Sequence, residues 1–109
     1  MELSFLKNKQ RGKRMKITRK EIKKISRGMF TQLSKLELKN LEIDYTFKMY
    51  VDGDSYINIT IFGDNTNVSF MFCNFYGEKR INKYFSKLLK VLKKDDFQML
   101  LILEREHGV

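Results

Sequence analysis

Three consecutive segments between residues 41 and 76 alternate apolar with polar residues, and this pattern constrains the fold more than any other feature of the chain. Successive side chains of a strand point to opposite faces, so each segment is predicted to be a half-buried β-strand. Residues 52–54 and 63–66 separate the segments and contain the Gly, Asp and Asn typical of tight turns. Strands joined by such short turns pair antiparallel, which predicts a three-stranded meander with one strongly apolar face.

Burial of the apolar side chains selects the register of this meander, because a slip by one residue would move every side chain to the other face. A three-residue turn after the first strand would set Met49 opposite Ile57. A four-residue turn after the second strand would set Ile59 opposite Phe70, which extends the same apolar face over all three strands.

Helical periodicity flanks the predicted strands. Thr18 and Glu21 have the spacing of a capping box, and apolar residues recur every three or four positions after it, which predicts a helix over residues 18–37. A second apolar stripe predicts a helix over residues 78–94. The short apolar run at 97–103 is predicted to be a buried strand, with a helix as the alternative because of its leucines. The expected order is helix, three-stranded antiparallel meander, helix and strand, which is an α+β fold.

Positive charge is concentrated at the start of the chain. Residues 1–27 contain eleven Lys or Arg residues against two Glu residues, a balance of +9 that equals the formal net charge of all 109 residues. Residues 7–16 show no apolar periodicity and are dense in like charges. We therefore expect residues 1–17 to be a flexible basic arm and residues 18–109 to be a single α+β domain. Such clustered cations are typical of proteins that bind nucleic acids.

Two groups of cations are candidate contacts for a polyanion. The first combines the arm with the polar side of the first predicted helix, and comprises Lys7, Lys9, Arg11, Lys13, Arg14, Lys16, Arg19, Lys20, Lys23, Lys24 and Arg27. The second is a row along the second predicted helix, and comprises Lys79, Lys83, Lys87, Lys90 and Lys94. An ordinary solvated helix face is the alternative for the second group. Attraction to an anionic membrane is a weaker alternative for the first, because its helix needs the apolar stripe to cover the sheet.

The second face of the predicted sheet is also rich in aromatic side chains. We expect a helix or a partner chain to cover this face. The alternative is that the face stacks nucleobases, as RNA-binding sheets do. The candidate stacking or partner residues are Tyr56, Phe62 and Phe75.

Residues typical of catalytic and metal sites are scarce. His107 is the only histidine and Cys73 the only cysteine, so a Ser–His–Asp or Cys–His arrangement and a zinc site are not expected. The spacing of the aspartates does not favour a metal-dependent nuclease. No apolar segment approaches the ~20 residues of a membrane span. We therefore expect a non-enzymatic, cytoplasmic protein without a cofactor or a bound metal.

The arm sequence LKNKQRGKRMK, the helix start TRKEIKK and the expected order of elements resemble phage and mobile-element anti-CRISPR proteins that inhibit type II RNA-guided nucleases. The resemblance is one of architecture and covers the whole chain. It implies a non-enzymatic inhibitor that engages the nuclease, its guide RNA or both through a cationic arm.

The clustered cations predict a protein that binds RNA, DNA or a ribonucleoprotein through its arm and first helix. The resemblance alone implies that it inhibits an RNA-guided nuclease, which is the preferred function. Two alternatives stay open. The aromatic sheet face could dock a second copy or another protein. The chain could also be a small DNA- or RNA-binding regulator unrelated to CRISPR.

Overall fold

The structure is a computed structural model that describes residues 17–108, with side chains described as far as residue 106. This part of the chain forms a three-stranded antiparallel sheet and three helices, which confirms the predicted α+β class. The elements in chain order are α1 (Arg19–Ser34), β1 (Glu42–Met49), β2 (Ser55–Gly63), β3 (Thr66–Cys73), α2 (Glu78–Leu92) and α3 (Phe97–Gly108). The strands are ordered β1-β2-β3 in the sheet.

The pairing of β2 with β3 has the predicted register, and Ile59 lies opposite Phe70. Asp64 and Asn65 form the turn between these strands, and both have a positive φ, of 51° and 62°. Two consecutive left-handed residues make the hairpin turn whose twist matches that of the strands. Asp and Asn tolerate this backbone conformation better than most residues do.

The pairing of β1 with β2 differs from the predicted register by two residues. Met49 lies opposite Ser55 instead of Ile57, which pairs with Phe47. A shift of two residues leaves every side chain on its expected face, because the side-chain period of a strand is two. The apolar pattern therefore predicted the faces correctly and the register wrongly.

The loop between β1 and β2 explains this difference, because it is longer than the predicted three-residue turn. The Tyr50 N–H donates to the Asp54 carbonyl at 2.8 Å, and the Gly53 N–H donates to the Tyr50 carbonyl at 3.0 Å. Gly53 has a φ of 101°, which only glycine adopts at little cost. Val51, which the alternation places on the apolar face, is fully exposed at the tip of the loop.

The apolar core lies between one face of the sheet and the three helices. Ile57, Ile59 and Ile61 of β2 are fully buried at its centre. Burying one such side chain stabilises the fold by about 1.5–3 kcal/mol. The helices each contribute one apolar stripe, comprising Ile22, Met29 and Leu33 of α1, Ile81, Phe85, Leu88 and Leu92 of α2, and Phe97, Leu100 and Leu103 of α3.

Helix α1 begins where the capping box predicts. The Thr18 hydroxyl accepts from the Glu21 N–H at 3.2 Å, and the Glu21 carboxylate accepts from the Thr18 N–H at 3.0 Å. The helix continues through Gly28 and ends at Ser34 instead of residue 37.

Ile17 belongs to the folded body, although the sequence prediction placed it in the arm. Its side chain is buried, and its N–H donates to the Asn74 carbonyl at 2.8 Å. Ile17 and the buried Ile22 stand at the two positions of a hydrophobic staple around the start of α1. The rest of the predicted arm, residues 1–16, lies outside the described residues.

Residues 97–103, predicted to be a strand, begin a helix instead. Leu and Met favour a helix over a strand, whereas the β-branched residues typical of strands are represented here by Ile102 alone. The buried Phe97, Leu100 and Leu103 recur at helical spacing. Phe97 also packs so closely over Gly63 that a Cβ atom there would lie 3.0 Å from its ring. This segment therefore covers the sheet and does not extend it.

The turn between α2 and α3 is tied to the connection between α1 and β1. Asp95 adopts a φ of 55° after the end of α2. Its carboxylate accepts from the N–H groups of Lys39 at 2.9 Å and of Asn40 at 3.2 Å. The connection between α1 and β1 therefore lies beside the C-terminal end of α2.

Candidate nucleic-acid interface

The cationic arm joins the folded body at Ile17. This residue is held beside Asn74, just after the end of β3 and shortly before the start of α2. The arm therefore leaves the body at the end where α1 and α2 begin. The predicted arm contacts that lie outside the described residues are Lys7, Lys9, Arg11, Lys13, Arg14 and Lys16.

Helix α1 directs its basic residues away from the core. Consecutive helix residues are about 100° apart around the axis, because a turn contains 3.6 residues. The buried stripe of α1 therefore leaves Lys20, Lys24 and Arg27 on the opposite side of the helix and Lys23 on its flank. All five predicted cations of the helix are exposed, namely Arg19, Lys20, Lys23, Lys24 and Arg27.

Arg19 differs from the other four cations of α1 because it already has a structural partner. Its guanidinium donates to the backbone carbonyl of Tyr50 in the β1–β2 loop. This contact holds the start of α1 against the loop and leaves fewer guanidinium donors for a ligand.

Glu21 is the one acidic residue in α1. Its carboxylate accepts first from the Thr18 backbone N–H and second from the Thr18 hydroxyl, and both bonds lower the pKa of Glu21 below the ordinary 4.5. Negative charge is also favourable at a helix N-terminus. Glu21 therefore supports the start of the helix that carries the cations.

Helices α1 and α2 begin near each other. Glu21, Lys24 and Ile25 of α1 share a surface depression with Glu78 at the start of α2, so two carboxylates lie beside Lys24 there. Asp95, after the end of α2, accepts from Lys39 and Asn40 of the connection between α1 and β1. Because both helices turn their apolar stripes to the same face of the sheet, their basic faces lie on the same outer surface of the body.

This outer surface carries most of the predicted cations of the described residues. We name it the cationic helix surface, and it comprises Lys20, Lys23, Lys24, Arg27, Lys79, Lys83, Lys87 and Lys90, all exposed. The structure thus brings together two groups of cations that are about 60 positions apart in the chain.

Lys94, predicted as the last member of the second row, is separated from this surface. It follows the end of α2 and borders a depression that also contains Asp64, Asp95 and Asp96. These three carboxylates offset its charge, so Lys94 is a poor contact for a phosphate.

Cation–aromatic contacts follow the lysine row of α2, and the sequence analysis missed them. The guanidinium carbon of Arg80 lies 4.7 Å from the centroid of the Tyr76 ring and 5.8 Å from that of Tyr84. The Lys87 nitrogen lies 5.8 Å from the Tyr84 centroid. Arg80, Tyr84 and Lys87 are four and three positions apart on α2, and this spacing could have indicated their contacts, because such residues are neighbours on a helix. We name Tyr76, Arg80, Tyr84 and Lys87 the Tyr–Arg ladder.

The second face of the sheet is not covered by any helix of the described residues, since all three pack on the other face. The expectation of a covering helix is therefore wrong, and cover by a partner chain stays a prediction. Tyr56 and Phe62 lie six residues apart on β2, which is about 20 Å along a strand. Phe75 follows the end of β3, beyond the Cys73 that pairs with Tyr56. The three predicted stacking residues do not form one patch.

The aromatic end of this second face is acidic. Tyr50 and Tyr56 meet edge to face with ring centroids 5.5 Å apart. They line an open depression of about 580 Å³ together with Asp52, Asp54 and Lys48. Desolvation, followed by the nearby Asp54 carboxylate, raises the pKa of Tyr56. Two carboxylates against one ammonium disfavour a phosphate here, so this face is a poor site for RNA.

Within residues 17–106, few side chains are placed to bind a metal ion or to act as a nucleophile. No group of three or more His, Cys, Asp or Glu side chains in this range could hold a metal ion. The Cys73 thiol is buried. Asp52 accepts from the Asp54 N–H at 3.0 Å and thus shapes its turn. The side chain of His107 lies outside the described residues.

None of the helices within residues 17–108 has the length and apolar character needed to cross a membrane. Comparisons of the chain with protein-family models, with curated proteins and with solved structures found no match.

Proposed function

We propose that this chain is a non-enzymatic protein that binds nucleic acid, in particular RNA or a ribonucleoprotein, through its arm and the cationic helix surface. The observation that carries the proposal is that α1 and α2 both pack on the same face of the sheet, which leaves eight exposed cations on one side of the body. Four carboxylates, those of Glu42, Asp44, Asp52 and Asp54, lie on or beside the opposite face of the sheet. This difference in charge between the two sides favours approach of a polyanion to the helices.

Binding at this surface must depend on salt. Each phosphate that a cation neutralises releases condensed counterions, and a single strand contributes about −0.7 per phosphate to the slope of log K against log salt. Four phosphate contacts on the helix surface would therefore give a slope of about −3, before the arm is counted.

Within this proposal, the partner is a guide-RNA-loaded CRISPR nuclease that the chain inhibits. The architectural resemblance to anti-CRISPR proteins supports this choice. The joining of the arm to the helix surface also supports it, because the two together could follow the phosphates of a folded guide RNA over a long path.

Fluorescence anisotropy of the full chain with a labelled guide RNA at 50 and 200 mM salt tests the RNA binding. We expect the dissociation constant to rise at least tenfold between the two salt concentrations, from the slope of about −3. A dissociation constant that is the same at both salt concentrations, or the absence of binding at 50 mM salt, contradicts the proposal.

A cleavage assay with a guide-loaded type II nuclease tests the narrower claim. We expect cleavage to stop once the chain reaches a small excess over the complex. Full cleavage at a several-fold excess of the chain over the complex would contradict the inhibition of the nuclease. If the chain still bound RNA, it would be a nucleic-acid-binding protein unrelated to CRISPR.

The uncovered sheet face favours a second candidate function, that of a homo-oligomeric interaction module. Phe62, Met71 and Phe75 are 39%, 47% and 46% exposed, which is high for large apolar side chains. If this face joins two copies, sedimentation equilibrium detects a dimer that Met71→Glu converts to a monomer. A wild-type chain that stays monomeric at 100 µM removes this candidate.

A further inference from the structure

We propose that the Tyr–Arg ladder makes the cationic helix surface select single-stranded over double-stranded nucleic acid, by stacking unpaired bases against Tyr84, Tyr76 and the Arg80 guanidinium. The inference rests on the proposed function and names the substrate class of the same site.

The ladder presents flat groups in a preorganised arrangement. Both tyrosines are half-buried and pack against the core, which restricts their rings. Arg80 is exposed, and its guanidinium lies within 6 Å of both ring centroids. A guanidinium is planar and stacks on aromatic faces, so it can also stack on a base. Restricting these groups before binding lowers the entropy lost on binding.

A single strand can turn the faces of its unpaired bases towards the ladder. In a duplex, the faces of the bases are already stacked on each other, so a duplex offers the ladder only its phosphates.

The lysine row supplies the phosphate contacts beside the ladder. Lys79 precedes Arg80 in the helix, and Lys83 precedes Tyr84, so each flat group has a lysine about 100° from it around the helix axis. A strand can therefore lay its phosphates on the lysines and turn its bases to the ladder. Basic grooves lined with aromatic groups bind single strands in this way.

Anisotropy measurements with an unstructured 12-nucleotide RNA and a 12-base-pair RNA duplex test the inference on the full chain. Tyr84→Leu keeps an apolar side chain against the core but removes the ring. We expect it to weaken binding of the single strand about tenfold, the lower range for loss of one stacked base. Binding of the duplex should change less than twofold. Tyr84→Phe, which keeps the ring, should retain the single-strand affinity.

Lys83→Gln is the matched control, because it removes a phosphate contact and should weaken both RNAs by similar factors. If Tyr84→Leu lowers the melting temperature strongly, Arg80→Lys takes its place, since it keeps the charge and loses the flat group. Equal effects of the ladder variants on both RNAs, or no effect while Lys83→Gln weakens binding, overturn this inference alone. A wild-type chain that binds neither RNA overturns the proposed function as well.

Discussion

The backbone N–H of Ile17 donates to the carbonyl of Asn74 at 2.8 Å, and this bond joins the start of α1 to the end of β3. The Asn74 side chain is 1% exposed. Its amide accepts from the Ser55 N–H at 3.2 Å and donates to the Gly53 carbonyl at 3.4 Å. One buried side chain thus organises the end of the molecule from which the arm and both cationic helices start.

Asn74→Ala is expected to destabilise the fold by about 1–3 kcal/mol, because it leaves the buried N–H of Ser55 without its side-chain acceptor. Urea unfolding measures this loss. Asn67→Ala is the control, since Asn67 is exposed on β3, and it should change the free energy of unfolding by less than about 0.5 kcal/mol. Equal effects of the two substitutions would contradict the organising role of Asn74.

Replacing the cations of α1 is expected to weaken RNA binding and to reduce its salt dependence. The variant changes Lys20, Lys23, Lys24 and Arg27 to Gln, which should make the slope of log K against log salt about 3 less steep. Lys48→Gln on the opposite sheet face is the control and should leave the slope unchanged. If the two variants bind RNA alike, the cationic helix surface is not the site.

The capping box is expected to make stability depend on pH. The folded state lowers the pKa of Glu21, so the carboxylate's contribution is fully present above its ordinary pKa of 4.5 and is lost as the pH falls through its folded-state value. The free energy of unfolding in urea should therefore be lower for Glu21→Ala than for the wild type at pH 7, and this difference should narrow at pH 3. A difference of the same size at both pH values would contradict a contribution from the Glu21 carboxylate.

Thr18→Ala should lower the free energy of unfolding by about 1 kcal/mol at pH 7, because it removes the N-cap hydroxyl.

Gly63→Ala and Gly28→Ala are expected to change stability in opposite directions. A Cβ at Gly63 would lie 2.9 Å from the Leu41 side chain and 3.0 Å from Phe97, so this substitution should cost about 1–3 kcal/mol. A Cβ at Gly28 meets nothing within 4 Å on an exposed helix position, so that substitution should stabilise by about 0.5–1 kcal/mol. Thermal unfolding of both variants checks the pair. A stabilising Gly63→Ala would show that Phe97 does not pack over the end of β2.

Local patterns in the sequence predicted those parts of the fold that local chemistry determines. Thr18 and Glu21 make the predicted capping box, and the pairing of Ile59 with Phe70 has the predicted register. The β1–β2 register was wrong because a two-residue shift keeps the same faces, so burial could not choose between the two loops. The apolar run at residues 97–103 is too short for its pattern to distinguish a buried strand from a buried helix, and the structure shows the helix.

The candidate site could be predicted only in part. The apolar stripe of α2 faces the core, so the sequence predicts that the lysines on the other sides of this helix are exposed. The adjacency of Lys24 and Glu78, which joins α1 to α2, depends on how the helices cross the sheet and has no local pattern. The contact of Arg80 with Tyr84 does have a four-residue spacing, but the same spacing occurs wherever a helix carries an aromatic and a basic residue.

Mapping amide chemical shifts of the full-length, isotope-labelled chain during titration with a 12-nucleotide RNA tests the central claim most directly. The account predicts that the largest shift changes fall on α1 and α2, at Lys20, Lys24 and Lys83, and that Asp44, Asn58 and Asn67 on the open sheet face change little. Large changes confined to the open face, with α1 and α2 unaffected, would contradict it.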